Sequence, residues 1–93
     1  MGLLNESQIA AGLAKLSGWT RDGASIRRQF AFPSFAAAIA FVNRVATAAD
    51  QADHHPDIDI RYSRVLLTLS THSAGGVTDR DLSLATDINR IAG

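Results

Sequence analysis

The sequence contains no cysteine. This excludes a disulfide framework, thiolate metal ligands and a cysteine nucleophile, and it removes any need for an oxidising compartment. Net charge is lacking as well, with nine Lys plus Arg set against nine Asp plus Glu and no block of either sign. A protein that neutralises phosphates would be basic, so no nucleic-acid partner is expected. No run approaches the roughly 18 consecutive apolar residues of a membrane span. The opening residues 1–6 carry neither a basic n-region nor an apolar h-region, so no membrane partner is expected and the cytoplasm is the expected location. Gly75-Gly76 comes without the other glycines and the lysine of a phosphate loop, and no serine stands in a nucleophile elbow. Nucleotide and hydrolase chemistries therefore drop out.

What remains is a chain of 93 residues, 46% of them apolar, enough to fill the core of a single domain over residues 1–93. A chain this short removes only about two-thirds of its unfolded surface from water, so self-association would help it. Asn5 and Gln8 have the N-cap and N3 spacing of a capping box, followed by Ile9, Leu13 and Leu16 at helical intervals, which predicts a helix over about residues 6 to 16. Residues 19–21 and 25–32 flank Asp22-Gly23, a turn pair, and read as a hairpin. After Pro33-Ser34 a long helix carries two apolar stripes, Phe35, Ile39, Val42, Ala46 and Ala49 on one side and Ala37, Phe41, Val45 and Ala48 on another. One small sheet cannot cover both. The second stripe is read either as a subunit interface of a homodimer or homotetramer or as close packing within the monomer. Ile58, Ile60 and Tyr62, then Val65, Leu67 and Leu69, alternate with period two and predict two more strands joined around Ser63. Thr78 and Asp81 have capping-box spacing ahead of Leu84, Ile88 and Ile91. The order α-β-β-α-β-β-α predicts an α+β fold, an antiparallel four-stranded sheet with helices packed on one face.

The chemistry has few places to live. All three histidines lie between residues 54 and 72, two adjacent at a predicted helix end and His72 at a strand end. Imidazoles placed together can supply both a proton donor and an acceptor near neutrality, which points to acid–base catalysis. The structural alternative is a histidine pair that ends a helix before Pro56, and a solvated His72. Asp50, four residues before His54, stands either where it orients that imidazole or on a solvated face. Asp81 is read as a helix cap, a role that leaves room for a catalytic one. A shared metal is disfavoured, because adjacent His54 and His55 diverge whereas helical ligand pairs favour i, i+4 spacing.

The run Asp50, His54-His55-Pro56, Tyr62, His72 and Asp81 resembles the signature of the pterin-4a-carbinolamine dehydratases, interval for interval. The flanks Arg28-Gln29-Phe30, Phe41-Val42-Asn43-Arg44-Val45-Ala46, Leu67-Thr68-Leu69-Ser70-Thr71-His72 and Thr78-Asp79-Arg80-Asp81-Leu82 are similar too. The resemblance implies an enzyme, a carbon-oxygen lyase that dehydrates 4a-hydroxytetrahydrobiopterin to quinonoid dihydrobiopterin. Pterin would be its substrate, no cofactor or metal is implied, and an aromatic amino acid hydroxylase would be the functional link. Carried over by position, His54 and His72 would be the acid–base groups, with His55 polarising the pterin. Asp50 and Asp81 would tune the histidines. Asp53, Ser70, Thr71, Ser73 and Trp19 would line the pocket, Trp19 offering a flat face to the ring. Trp19 is also a natural anchor for the first hairpin. Ile58 stands where many animal members have an aromatic residue. In animals the family also serves as a dimerisation cofactor for a transcription factor, so the alternative function is a non-catalytic interaction module. That module would be sensitive to a charge placed at Phe41 or Val45.

Overall fold

A computed structural model describes residues 2–93. Its elements in chain order are α1 (Glu6–Ala14), β1 (Thr20–Asp22), β2 (Ser25–Ala31), α2 (Phe35–Ala52), β3 (Asp57–Arg61), β4 (Arg64–Leu69), a 3-10 turn (His72–Ala74) and α3 (Asp79–Ala92). The strands form one antiparallel sheet in the order β1-β2-β4-β3. This is the α+β order that the sequence predicts.

Each helix begins where a short polar side chain satisfies its free N–H groups. Asn5 and Gln8 close a reciprocal capping box on α1, Ser34 accepts from the Ala37 N–H at the start of α2, and Thr78 with Asp81 caps α3. Helix α1 ends at Ala14, with Lys15 as its C-cap, two residues before the predicted end. Leu16 nevertheless joins the core from the loop. The first hairpin turns one residue later than its sequence implies: Asp22 pairs with Ser25, so the turn is Gly23-Ala24. Only Gly23 of these has positive φ, at 59°, a conformation open to glycine at no steric cost.

Alternation along the central strands sends Ile26 and Phe30 of β2, and Val65, Leu67 and Leu69 of β4, to the helix side of the sheet. Register pairs Ile26 with Leu69 and Phe30 with Val65. Phe41 of α2 meets both Phe30 and Phe32, with ring centroids 4.8 and 4.9 Å apart. The outer face keeps Arg27, Gln29 and Arg64 in water, as an antiparallel sheet covered on one side requires. Strand β3 lies at the edge with β4 as its neighbour, so Ile58 and Ile60 remain about one-third exposed.

Helix α2 corrects the reading of its stripes. Phe41 and Val45, expected as a possible interface, are 1% and 0% exposed and belong to the monomer core together with Ala38 and Ala49. The stripe left uncovered is the other one: Phe35 is 51% exposed, Ala46 is exposed, and Ile39 and Val42 are half-buried. An 18-residue helix can press only one strip against a single sheet, and Phe41 packs there against Phe30 and Phe32. Among the described residues no helix is long and apolar enough to cross a membrane.

Candidate functional site

Pro56 cannot continue a helix, and α2 ends four residues before it. Asp53 forms the C-cap in the left-handed region, with φ 50° and ψ 43°. Arg80, in the first turn of α3, secures this bend by donating from its guanidinium to the carbonyls of Ala52 and Asp53. Past the bend the chain reverses direction, and the two adjacent histidines part company. His54 turns inward and is 8% exposed, whereas His55 stays in water.

The inward histidine meets Asp81. His54 Nε2 lies 2.5 Å from Asp81 Oδ1, and the carboxylate is fully buried. An isolated carboxylate could not be held there, because removal from water costs several kcal/mol in practice. Its second oxygen is satisfied from two directions. The Thr71 hydroxyl and the Thr78 N–H each donate to Oδ2 at 2.9 Å, and the Thr71 and Thr78 hydroxyls are 2.8 Å apart. The position at N3 of α3 adds the favourable end of the helix dipole. Capping and histidine orientation thus coexist in one side chain, Oδ2 serving the helix and Oδ1 the imidazole. Among the described residues no buried side-chain nitrogen or oxygen lacks a partner.

Asp50 does not orient His54. It accepts from His55 instead, with His55 Nε2 at 2.9 Å from Asp50 Oδ1 and both side chains exposed. The left-handed Asp53 breaks the i, i+4 register that would have joined Asp50 to His54. His72 is exposed at the start of the 3-10 turn. It follows Thr71, whose N–H donates to Gly76 O and whose hydroxyl belongs to the Asp81 network, so one residue links His72 to the buried pair. Gly75, at φ 77°, lets this turn close over Thr71. Ser70 is half-buried just past β4, and Ser73 is exposed in the turn. Asp53 contributes its carbonyl to Arg80 and leaves its side chain in water.

Trp19 is not among these residues. It is 4% exposed, packs edge-on against Phe30 at 6.4 Å, and donates from its indole N–H to Asn89 Oδ1 at 2.7 Å. Asn89 lies eight residues beyond Asp81 on α3, a rise of about 12 Å, so the tryptophan anchors the far end of that helix. Two residues that sequence reasoning treated only as helix starters or flank, Thr78 and Arg80, are built into the site. The capping box was a legible signal for Thr78, but nothing local ties Arg80 to the end of α2.

A groove of about 310 Å³ opens beside His54, lined also by Ala52, Asp79, Arg80, Ser83, Leu84 and Asp87. Of the three histidines, only His54 lines it. Among the described residues no three His, Asp or Glu side chains converge to hold a metal ion. The arrangement can hold a proton on a buried imidazole against a carboxylate, and it offers two further imidazoles in contact with water nearby. Those are parts for moving protons to and from a bound molecule.

Comparison with known proteins gives the family of the chain. The profile of the family described as pterin 4 alpha carbinolamine dehydratase matches residues 2–91. A Nocardia farcinica protein is 57% identical over 90 residues, covering 97% of this chain and 95% of the other, and a Roseiflexus castenholzii protein is 55% identical over 89 residues, covering 96% of each. Both are provisionally named pterin-4-alpha-carbinolamine dehydratases. The crystal structure of a transcriptional coactivator/pterin dehydratase from Brucella melitensis superposes with a TM-score of 0.93 at 40% identity, over 97% of this chain and 98% of that one. A pterin dehydratase-like protein described as a RuBisCO assembly factor in the alpha-carboxysome shares the fold, with a TM-score of 0.67 at 22% identity. With a family profile spanning all but three of its residues and relatives above 50% identity along their whole length, the chain belongs to the pterin 4 alpha carbinolamine dehydratase family.

Proposed function

We propose that the protein is a 4a-hydroxytetrahydrobiopterin dehydratase that forms quinonoid dihydrobiopterin and water by histidine acid–base catalysis. The observation that carries this reading is the buried His54–Asp81 pair, set one residue from the exposed His55 and linked through Thr71 to His72. The reaction needs two proton movements. The 4a-hydroxyl must receive a proton to depart as water, and N5 must lose one as the C4a–N5 double bond forms. Two imidazoles in opposite protonation states can serve both ends and exchange roles without a metal or an organic cofactor. In this reading His54 and His72 are the acid and base, while His55, held by Asp50, binds and polarises the pterin. Asp53, Ser70 and Ser73 supply polar contacts around it, while the buried Thr71 acts through Asp81. The product would return to the pterin cycle of an aromatic amino acid hydroxylase in the cytoplasm.

The uncovered stripe of α2 supports self-association as part of the same reading. Phe35, Ile39, Val42 and Ala46 form an apolar strip that a second copy would cover, giving a homodimer or homotetramer. The same strip is what a non-catalytic interaction module would use. The deciding experiment follows the decay of freshly generated 4a-hydroxytetrahydrobiopterin by stopped-flow absorbance, with the wild type, with His72→Ala and with no protein. Acceleration by the wild type that His72→Ala loses is the expected result. A spontaneous rate unchanged by either protein would overturn the catalytic reading in favour of the module.

A further inference from the structure

The bonds around Asp81 have only one consistent direction. A carboxylate only accepts, so the single hydroxyl proton of Thr71 must go to Oδ2. The contact of 2.8 Å between the two threonine hydroxyls must then use the Thr78 proton, with Thr71 accepting. Thr78 Oγ1 in turn accepts from the Arg80 N–H at 3.2 Å. The chain of donors therefore runs one way, from the Arg80 amide through Thr78 and Thr71 to Oδ2. Oδ2 also receives the Thr78 N–H. Thr71 and Thr78 are 2% and 0% exposed, so water does not compete for these protons.

We propose that Thr71 and Thr78 are positioning residues that hold Asp81 with Oδ2 toward the helix and Oδ1 toward the imidazole, where the carboxylate keeps His54 as its Nε2–H tautomer and leaves Nδ1 as the ring nitrogen free to accept. With Oδ2 saturated by two donors, Oδ1 is the oxygen left for the ring, and an oxygen there can bind only a ring N–H. The capping box of α3 and the tautomer of His54 are then one device. The segment after β4 meets the start of α3 at the Thr71–Thr78 contact, and the direction of its bond is transmitted to a histidine just past the end of α2. That Nδ1 is the nitrogen which handles a proton in turnover rests on the dehydratase reading above; the tautomer does not.

The test uses the full chain without substrate, labelled with nitrogen-15. Long-range proton–nitrogen correlation spectra are recorded over a series of rising pH until the His54 nitrogen shifts stop changing, and His54 is assigned by comparison with His55→Ala and His72→Ala. The wild type is expected to show a pyrrole-like Nε2 and a pyridine-like Nδ1. The reverse pattern in the wild type would overturn the proposal without any mutation of the network. In Asp81→Asn the Thr71 hydroxyl and the Thr78 N–H both demand an oxygen at the old Oδ2 position. The amide NH2 must then face His54 and donate to Nε2, and the ring proton should move to Nδ1. If Asp81→Asn instead retains the wild-type tautomer, its amide has turned freely and the threonines do not orient this side chain. Adding Thr71→Val to Asp81→Asn should leave a mixture of both tautomers, because one of the two donors to the oxygen is gone. Complete inversion in that double variant would assign the orientation to the Thr78 N–H alone and overturn the role of the hydroxyls. Stopped-flow dehydratase assays on the same samples separate the two readings. Inversion of the tautomer in a protein that never accelerates the dehydration would sink the enzyme and leave the positioning intact. Loss of turnover in Asp81→Asn together with inversion would identify Nδ1 as the working nitrogen.

Discussion

His54 and Asp81 are 27 residues apart in the chain, and their side chains are joined at 2.5 Å by Nε2 and Oδ1 in the interior. One stands just past the end of α2 and the other in the first turn of α3, so the bond ties together the two helix termini that frame the groove. A second tie runs parallel to it, from the Arg80 guanidinium to the last carbonyls of α2.

Because His54 is buried against a carboxylate while His72 is exposed, their alanine variants should behave alike in turnover and differently in stability. In the proposed mechanism each removes an acid–base group, and each is expected to lower kcat by about 10²–10⁴-fold. His54→Ala also leaves a buried anion without one of its donors, costing roughly 3 kcal/mol or more. His72→Ala should unfold at the same urea concentration as the wild type. Stopped-flow assays paired with urea denaturation check both halves; a destabilised His72→Ala would contradict its exposed placement.

Asp81→Ala removes the acceptor for three donors at once: the His54 ring, the Thr71 hydroxyl and the Thr78 N–H. Unsatisfied buried donors cost about 1–3 kcal/mol each, so this variant should be the least stable of the single changes at the site. Thermal unfolding followed by circular dichroism measures it, and a melting temperature like that of the wild type would contradict the buried network.

Substitutions on α2 should separate by stripe. Phe41→Ala empties a core position between Phe30 and Phe32 and should cost about 3–5 kcal/mol. Phe35→Lys, at a position half exposed, should leave the monomer folded and shift the proposed homo-oligomer toward smaller species. Light scattering coupled to gel filtration gives the answer, and an unchanged mass for Phe35→Lys would remove this strip from the interface.

Trp19→Phe keeps an aromatic ring against Phe30 but loses the N–H that donates to Asn89. Asn89 Oδ1 still accepts from Arg28 at 2.7 Å, so the expected cost is only about 1 kcal/mol. Turnover and KM should stay at the wild-type values. A raised KM for the pterin would place the indole back in the pocket.

Much of the molecule is legible along the chain because the forces involved are short-ranged. Asn5 with Gln8, Ser34, and Thr78 with Asp81 mark helix starts through bonds to N–H groups two or three residues away. The alternation of Val65, Leu67 and Leu69 selects the buried face of β4 by pleat geometry alone. The element order and the sheet's single covered face follow from such signals, and so does the clustering of His54, His55, His72 and Asp81 as candidate residues. Partner choice does not follow from them. Asp50 lies at the helical spacing for His54, yet a left-handed Asp53 sends that imidazole to Asp81 and leaves Asp50 to His55. Which stripe of α2 is core depends on the packing of Phe41 against Phe30 and Phe32, and Trp19 finds Asn89, 70 residues away, through the packing of α3. Local bonding and periodicity are written in neighbouring residues, whereas the pairing of distant side chains is decided only when backbone direction at a few bends and the volume of the closed core are set together.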